Sequence, residues 1–191
     1  MNPSPKTSRF GTGQITVIAL VAVLVVIAKT VLRLPIKVPG HAGVLWIAAL
    51  IVGRAAVRRP GAATFMGLVG GVLVAIVQPS DAGMVFAVAK YVIPGIILDI
   101  LAPLFGERFD RVPVAMVVGA AAHAGKVLVD VVQSYAAGLR GPLLVAGLTS
   151  ELVLHIAFGA LGGLIAALLL RTLLRAGVPQ FDGLTNEAEA S

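Results

Sequence analysis

Cysteine is absent from the 191-residue chain. Disulfides, thiolate chemistry and cysteine-ligated metal centres are therefore excluded. Aromatic residues make up only 5%, so helix contacts must rest on aliphatic and small side chains. Charged residues are scarce as well, at 13%, against 58% hydrophobic residues and a mean hydropathy of +0.99. A water-soluble domain could not hide that much apolar surface, so the chain reads as an integral membrane protein. Catalytic signatures are missing too. The sequence holds no HExxH, no GxSxG and no Walker or dinucleotide fingerprint, and its GLVGG run lies inside an apolar segment. No nucleophile stands beside a base. Neither an enzymatic activity nor a cofactor is expected. Without an ATP-binding sequence, active transport would need a partner.

Six apolar segments can be drawn, at 14–32, 41–57, 61–77, 83–105, 112–135 and 142–175. They lack strand alternation, and most approach the roughly 20 residues a bilayer-spanning helix needs. The second and third are short, which suggests tilted, shallow or interrupted helices. The expected fold is all-α, a compact six-helix transmembrane bundle over 14–175. A short segment, 1–13, precedes it and a polar tail, 176–191, follows. The first apolar run is too long for a signal peptide and reads as a retained span.

The formal charge is +6, but the basic residues are scattered at segment ends, where they set topology rather than bind nucleic acid. With the N-terminus inside, Lys6, Arg9, Arg54, Arg58, Arg59, Arg108, Arg111, Arg171 and Arg175 fall on the cytoplasmic side. Lys29, Arg33, Lys37 and Arg140 fall outside. That bias places both termini in the cytoplasm of a multi-pass protein of the cytoplasmic membrane.

Against this background, HAGKVLVDVV is anomalous. His123, Lys126 and Asp130 are three and four residues apart, on one helical face in hydrocarbon. Ionisable groups are costly there and are functional suspects by default. Glu151 and His155 form a second single-face pair. With the orientation above, Lys90, Tyr91, His41 and Trp46 join them in one layer toward the outer face. Asp99 is the exception, near the cytoplasmic end, with Pro94 and Gly95 positioned to kink the fourth span. Purely structural ion pairing is the alternative: Lys126 with Asp130, and Glu151 with Lys90 or His155. Both charge signs on several helices at one depth favour a binding pocket, since packing alone is met at lower cost by Ser or Thr. The three histidines have no spacing that asks for a metal. Gly67/Gly71, Ala115/Gly119 and Gly159/Gly163 are small-residue pairs that permit close helix contact.

Three stretches resemble the substrate-binding S components of energy-coupling factor (ECF) vitamin transporters. They are TVIALVAVLVVIAK in the first span, LPIKVPGHAGVLW after it, and RRPGAATFMGLVGGVL entering the third. The likeness extends over nearly the whole chain. It implies a subunit that captures a vitamin-like micronutrient near the outer face, under a first outer loop stiffened here by Pro35 and Pro39. It also implies partners, namely a membrane scaffold subunit and ATPase subunits. A small face on the first span would dock on the scaffold; Ala19, Ala22 and Ala28 are the candidates, with Val23 and Val26 interrupting strict four-residue spacing. The polar layer puts His41, Trp46, Lys90, Tyr91, His123, Lys126, Asp130, Glu151 and His155 around the substrate that the resemblance implies. The chain begins MNPSP rather than with the Met-His hook of cobalt and nickel members, so a metal substrate is not expected. Two other readings stay open: a six-span scaffold like the cell-shape protein MreD, and a stand-alone small-solute permease.

Overall fold

Each of the six apolar segments forms one α-helix in the computed structural model, which describes residues 10–30, 40–79 and 83–177. The helices are α1 (Thr12–Thr30), α2 (Gly43–Ala56), α3 (Ala62–Val77), α4 (Met84–Leu104), α5 (Val112–Ala136) and α6 (Pro142–Arg175). No strand occurs among the described residues. The stiff loop with Pro35 and Pro39, most of the leading segment and most of the polar tail lie outside them.

Four helices, α1, α4, α5 and α6, are long and apolar enough to cross a membrane. Their outward faces carry Leu20, Leu24, Val85, Ile100, Leu128 and Val153, all exposed. Such a surface is stable against lipid and not against water, so the protein is membrane-embedded. The remaining two are shorter, at 14 and 16 residues. They reach only about 21 and 24 Å, against about 30 Å of hydrocarbon. The bundle shows why α2 can be short: it touches all five other helices. Trp46, Ile47, Leu50 and Ile51 are buried along it. A helix end at membrane depth is tolerable when protein, not lipid, surrounds it.

The small-residue pairs meet one another across α5 and α6. A Cβ on Gly119 would strike the Gly159 carbonyl, one on Gly159 the Gly119 carbonyl, and one on Gly163 the Ala115 carbonyl. Backbone therefore lies on backbone along an antiparallel seam with a rung every four residues. The third rung is His123 opposite His155, with ring centroids 4.5 Å apart. Gly159→Leu is expected to cost about 1–3 kcal/mol through overpacking. It should lower the thermal midpoint of the detergent-solubilised protein. Gly147→Leu, on the same helix where nothing lies within 4 Å, should leave that midpoint unchanged.

The α3–α4 contact is built the same way. Gly67 and Gly71 face the carbonyls of Tyr91 and Val88, and Gly95 faces the backbone of Ala63 and Thr64. α4 runs as one helix through Pro94, so the Pro94–Gly95 step serves contact with α3. On α1, Ala22 and Ala28 are buried, and Ala22 lies near Gly70 of α3. The alanine face expected to dock on a scaffold is thus used inside the bundle, because Gly70 lets α1 and α3 approach there. Of the three alanines only Ala19 is exposed.

At the end of the bundle where α2 stops and α3 starts, Arg54 is 1% exposed. Its Nε donates to Asp99 Oδ1 at 2.9 Å, its Nη2 to Glu107 Oε1 at 3.0 Å and its Nη1 to the Val57 carbonyl at 3.3 Å. Asp99 also accepts from Ala63 N, Thr64 N and Thr64 Oγ1, at 3.3, 2.8 and 2.7 Å. A carboxylate on α4 therefore caps the first turn of α3, which no local side chain caps. Sequence reading set Asp99 apart from the other polar residues. The structure supplies its partners.

Candidate functional site

α2 begins deep in the bundle. Gly43, its first residue, lies against the His123 ring, whereas α5 continues to Ala136, about 20 Å beyond that level. The short helix leaves space above its start. A cavity of about 640 Å³ occupies it, within the usual range for small-molecule sites. All six helices wall it. Lys29 comes from α1, Trp46 from α2, Val74 from α3, Lys90 and Tyr91 from α4, Lys126 from α5 and His155 from α6.

Lys90, Asp130, Lys126 and Glu151 form one chain of contacts. Asp130 is shared between two lysines: Oδ1 lies 2.7 Å from Lys90 Nζ and Oδ2 lies 2.9 Å from Lys126 Nζ. The second contact is the pair expected from i, i+4 spacing. The first joins α4 to α5. Lys126 also lies 3.8 Å from Glu151 Oε1 and donates to His155 Nε2 at 3.3 Å. Glu151 thus faces Lys126 rather than Lys90. Its main-chain carbonyl, not its carboxylate, accepts from His155 Nδ1, at 2.8 Å. Opposite charges at this depth offset the cost of removing each from water.

Carbonyl acceptors decide the histidine tautomers. A carbonyl can only accept, so His155 carries its proton on Nδ1, and Nε2 is the lone pair that meets Lys126. His123 Nδ1 donates to the His155 carbonyl at 3.1 Å. Its Nε2 is then an acceptor as well. The His123 ring is 1% exposed and is held on two more sides. Trp46 stands edge-on at 5.6 Å and 89°, and Gly43 offers bare backbone. A Cβ on Gly43 would overlap the imidazole. Gly43→Ala is expected to displace the ring and cost about 1–3 kcal/mol, read as a lower thermal midpoint. Combining it with His123→Ala should recover part of that loss, since the ring is what the new methyl meets.

Six of the nine expected site residues line the cavity: Trp46, Lys90, Tyr91, His123, Lys126 and His155. Asp130 and Glu151 are not in its wall; they sit behind it as counter-ions. His41 precedes α2 and is not in the wall either, although Gly40, Ala42 and Gly43 around it are. Lys29 and Gln78 are additions to the expected set, whereas the Gly40–Gly43 turn belongs to the first outer loop expected over the substrate. In the sequence Lys29 reads only as a topology residue. Its place in the last turn of α1, at the same end as Lys90 and Lys126, was the available signal.

Asp130, Glu151 and His155 each offer a ligand atom, all within 4.8 Å of one another. A cation is already among them, because the Lys126 ammonium contacts all three. The donor set is therefore satisfied by lysine rather than arranged for a metal.

No protein-family model, curated protein or solved structure matches this chain.

Proposed function

We propose that this chain is the substrate-binding subunit of an ECF-type importer, a six-span protein of the cytoplasmic membrane with both termini inside. It captures a vitamin-like micronutrient at the outer face and passes it on with a membrane scaffold and ATPase subunits. One observation carries the reading: every helix contributes to a cavity of about 640 Å³ whose wall bears lysine, histidine, tryptophan and tyrosine. Charged and aromatic groups around an open space at membrane depth suit ligand capture, whereas ion pairs serving only as glue would close on one another. Arg54, Arg58 and Arg59 at the end of α2 and Arg108 and Arg111 between α4 and α5 fit the orientation that puts the cavity outside, outweighing Lys29 at the cavity end of α1.

The test is gentle purification of the tagged chain from its own membrane, with mass spectrometry of small molecules and proteins together. A retained vitamin-like compound with ATPase and scaffold subunits is the expected result. Cell-shape or division proteins with an empty cavity would overturn it. Solute movement by the chain alone in liposomes would point to a permease instead.

A further inference from the structure

We infer that the cavity takes a small organic anion built on a flat ring, with an N–H or O–H on the ring that donates to His123. This deepens the binding reading above and rests on it. Three observations point the same way.

The first is the placement of charge. Lys90 and Lys126 line the cavity, while Asp130 and Glu151, which face them, do not. Among the described residues, a ligand therefore meets ammonium groups in front, with the carboxylates behind them. Each ammonium has three donors. Asp130 takes one from Lys90, which keeps two; Lys126 gives one each to Asp130 and His155, and its third faces Glu151 at 3.8 Å, beyond hydrogen-bond distance. Donors remain for an incoming anion, and charge-assisted bonds of this kind are among the stronger ones.

The second is the tautomer of His123. Its Nδ1 is committed to the His155 carbonyl, so Nε2 has only a lone pair to offer. His123 lines the cavity, and the Nδ1 bond with the Trp46 and Gly43 contacts holds its ring in this orientation. A ligand atom reaching Nε2 must bring a hydrogen. A site built around a buried acceptor rejects analogues that lack the donor.

The third is the aromatic wall. Trp46 and Tyr91 lie with ring centroids 5.1 Å apart at 55°, and both line the cavity beside His123. Flat π surfaces next to both an acceptor and ammonium groups suit a ring that carries its donor and its anion at different positions.

Trp46 is the chain's single tryptophan, so its fluorescence reports on this cavity alone. The full chain in lipid nanodiscs would be titrated with three probes. They are 4-hydroxybenzoate, the uncharged 4-hydroxybenzamide, and 4-methoxybenzoate, which keeps the charge and loses the donor. Mass spectrometry of any molecule retained through gentle purification runs in parallel. The retained molecule is expected to be a ring acid. The hydroxy acid should shift Trp46 emission saturably, with the amide and the methoxy acid each weaker by about tenfold or more. His123→Phe should remove the preference for hydroxy over methoxy while keeping the preference for acid over amide. A retained or bound molecule without an anionic group overturns the ligand class alone, as do equal responses to acid and amide. Equal responses to the hydroxy and methoxy acids overturn the His123 assignment. A protein that retains nothing and responds to none of the probes overturns the binding reading itself. A phosphorylated ring compound among the retained molecules would keep the class and identify phosphate as the anion.

Discussion

Arg54→Met is expected to destabilise the protein by about 3–5 kcal/mol, the usual cost of removing one member of a buried ion cluster. Arg54 is 1% exposed and bonds to Asp99, Glu107 and the Val57 carbonyl. Methionine keeps much of the volume but leaves the Asp99 carboxylate, whose side chain is 10% exposed, without its cation. Asp99 also caps α3 through Ala63 and Thr64, so the loss extends to a helix terminus. The measurement is thermal unfolding in detergent. Adding Asp99→Asn to Arg54→Met should recover part of the loss, because the amide removes the stranded charge yet can still accept from Thr64. An Arg54→Met protein as stable as the parent would show that the cluster is not a structural clasp.

Lys126→Met should abolish most ligand retention while the protein still folds. The two effects separate because Asp130 has a second cation, Lys90, at 2.7 Å. Removing Lys126 thus strands no carboxylate as deeply buried as Asp99; Glu151, its more distant contact, is 26% exposed. What is lost is an ammonium on the cavity wall. A charge-assisted hydrogen bond is worth about 1.5–3 kcal/mol, so affinity should fall by about ten- to a hundredfold. Titration of the retained compound into the variant, beside its unfolding midpoint, reads both. A variant with unchanged affinity would remove Lys126 from the site. One that fails to fold would make Lys126 part of the bundle's frame. Glu151→Ala should weaken binding less, since the carboxylate stands behind the wall and acts through Lys126.

Much of the architecture is legible in the sequence. Hydrocarbon-scale apolar runs marked six helices, and their observed limits fall within a few residues of the expected ones. Helical periodicity put Lys126 and Asp130 on one face, and they pair at 2.9 Å. Four-residue spacing marked Ala115/Gly119 and Gly159/Gly163 as contact faces, and their backbones meet. These features are local: within a helix, the sequence interval alone determines which side chains are neighbours.

Whatever depends on how one helix is shifted or rotated against another was decided only by the tertiary structure. Sequence could not assign Lys90 to Asp130, Arg54 to Asp99, or Glu151 to Lys126. Each choice turns on axial offsets that side-chain packing sets. Ala22 faces inward because Gly70 lets α3 come close, and periodicity along α1 alone does not say which stripe meets a neighbour. The depth at which α2 starts is the decisive case. The sequence by itself determined that this helix is short and apolar. Its enclosure by five others determined that it can begin mid-bundle, where Gly43 meets His123 and Gly162 meets the Val44 carbonyl. That offset opens the cavity, brings the lysines to its wall and leaves their carboxylates behind it, because burial depends on where whole helices end relative to one another.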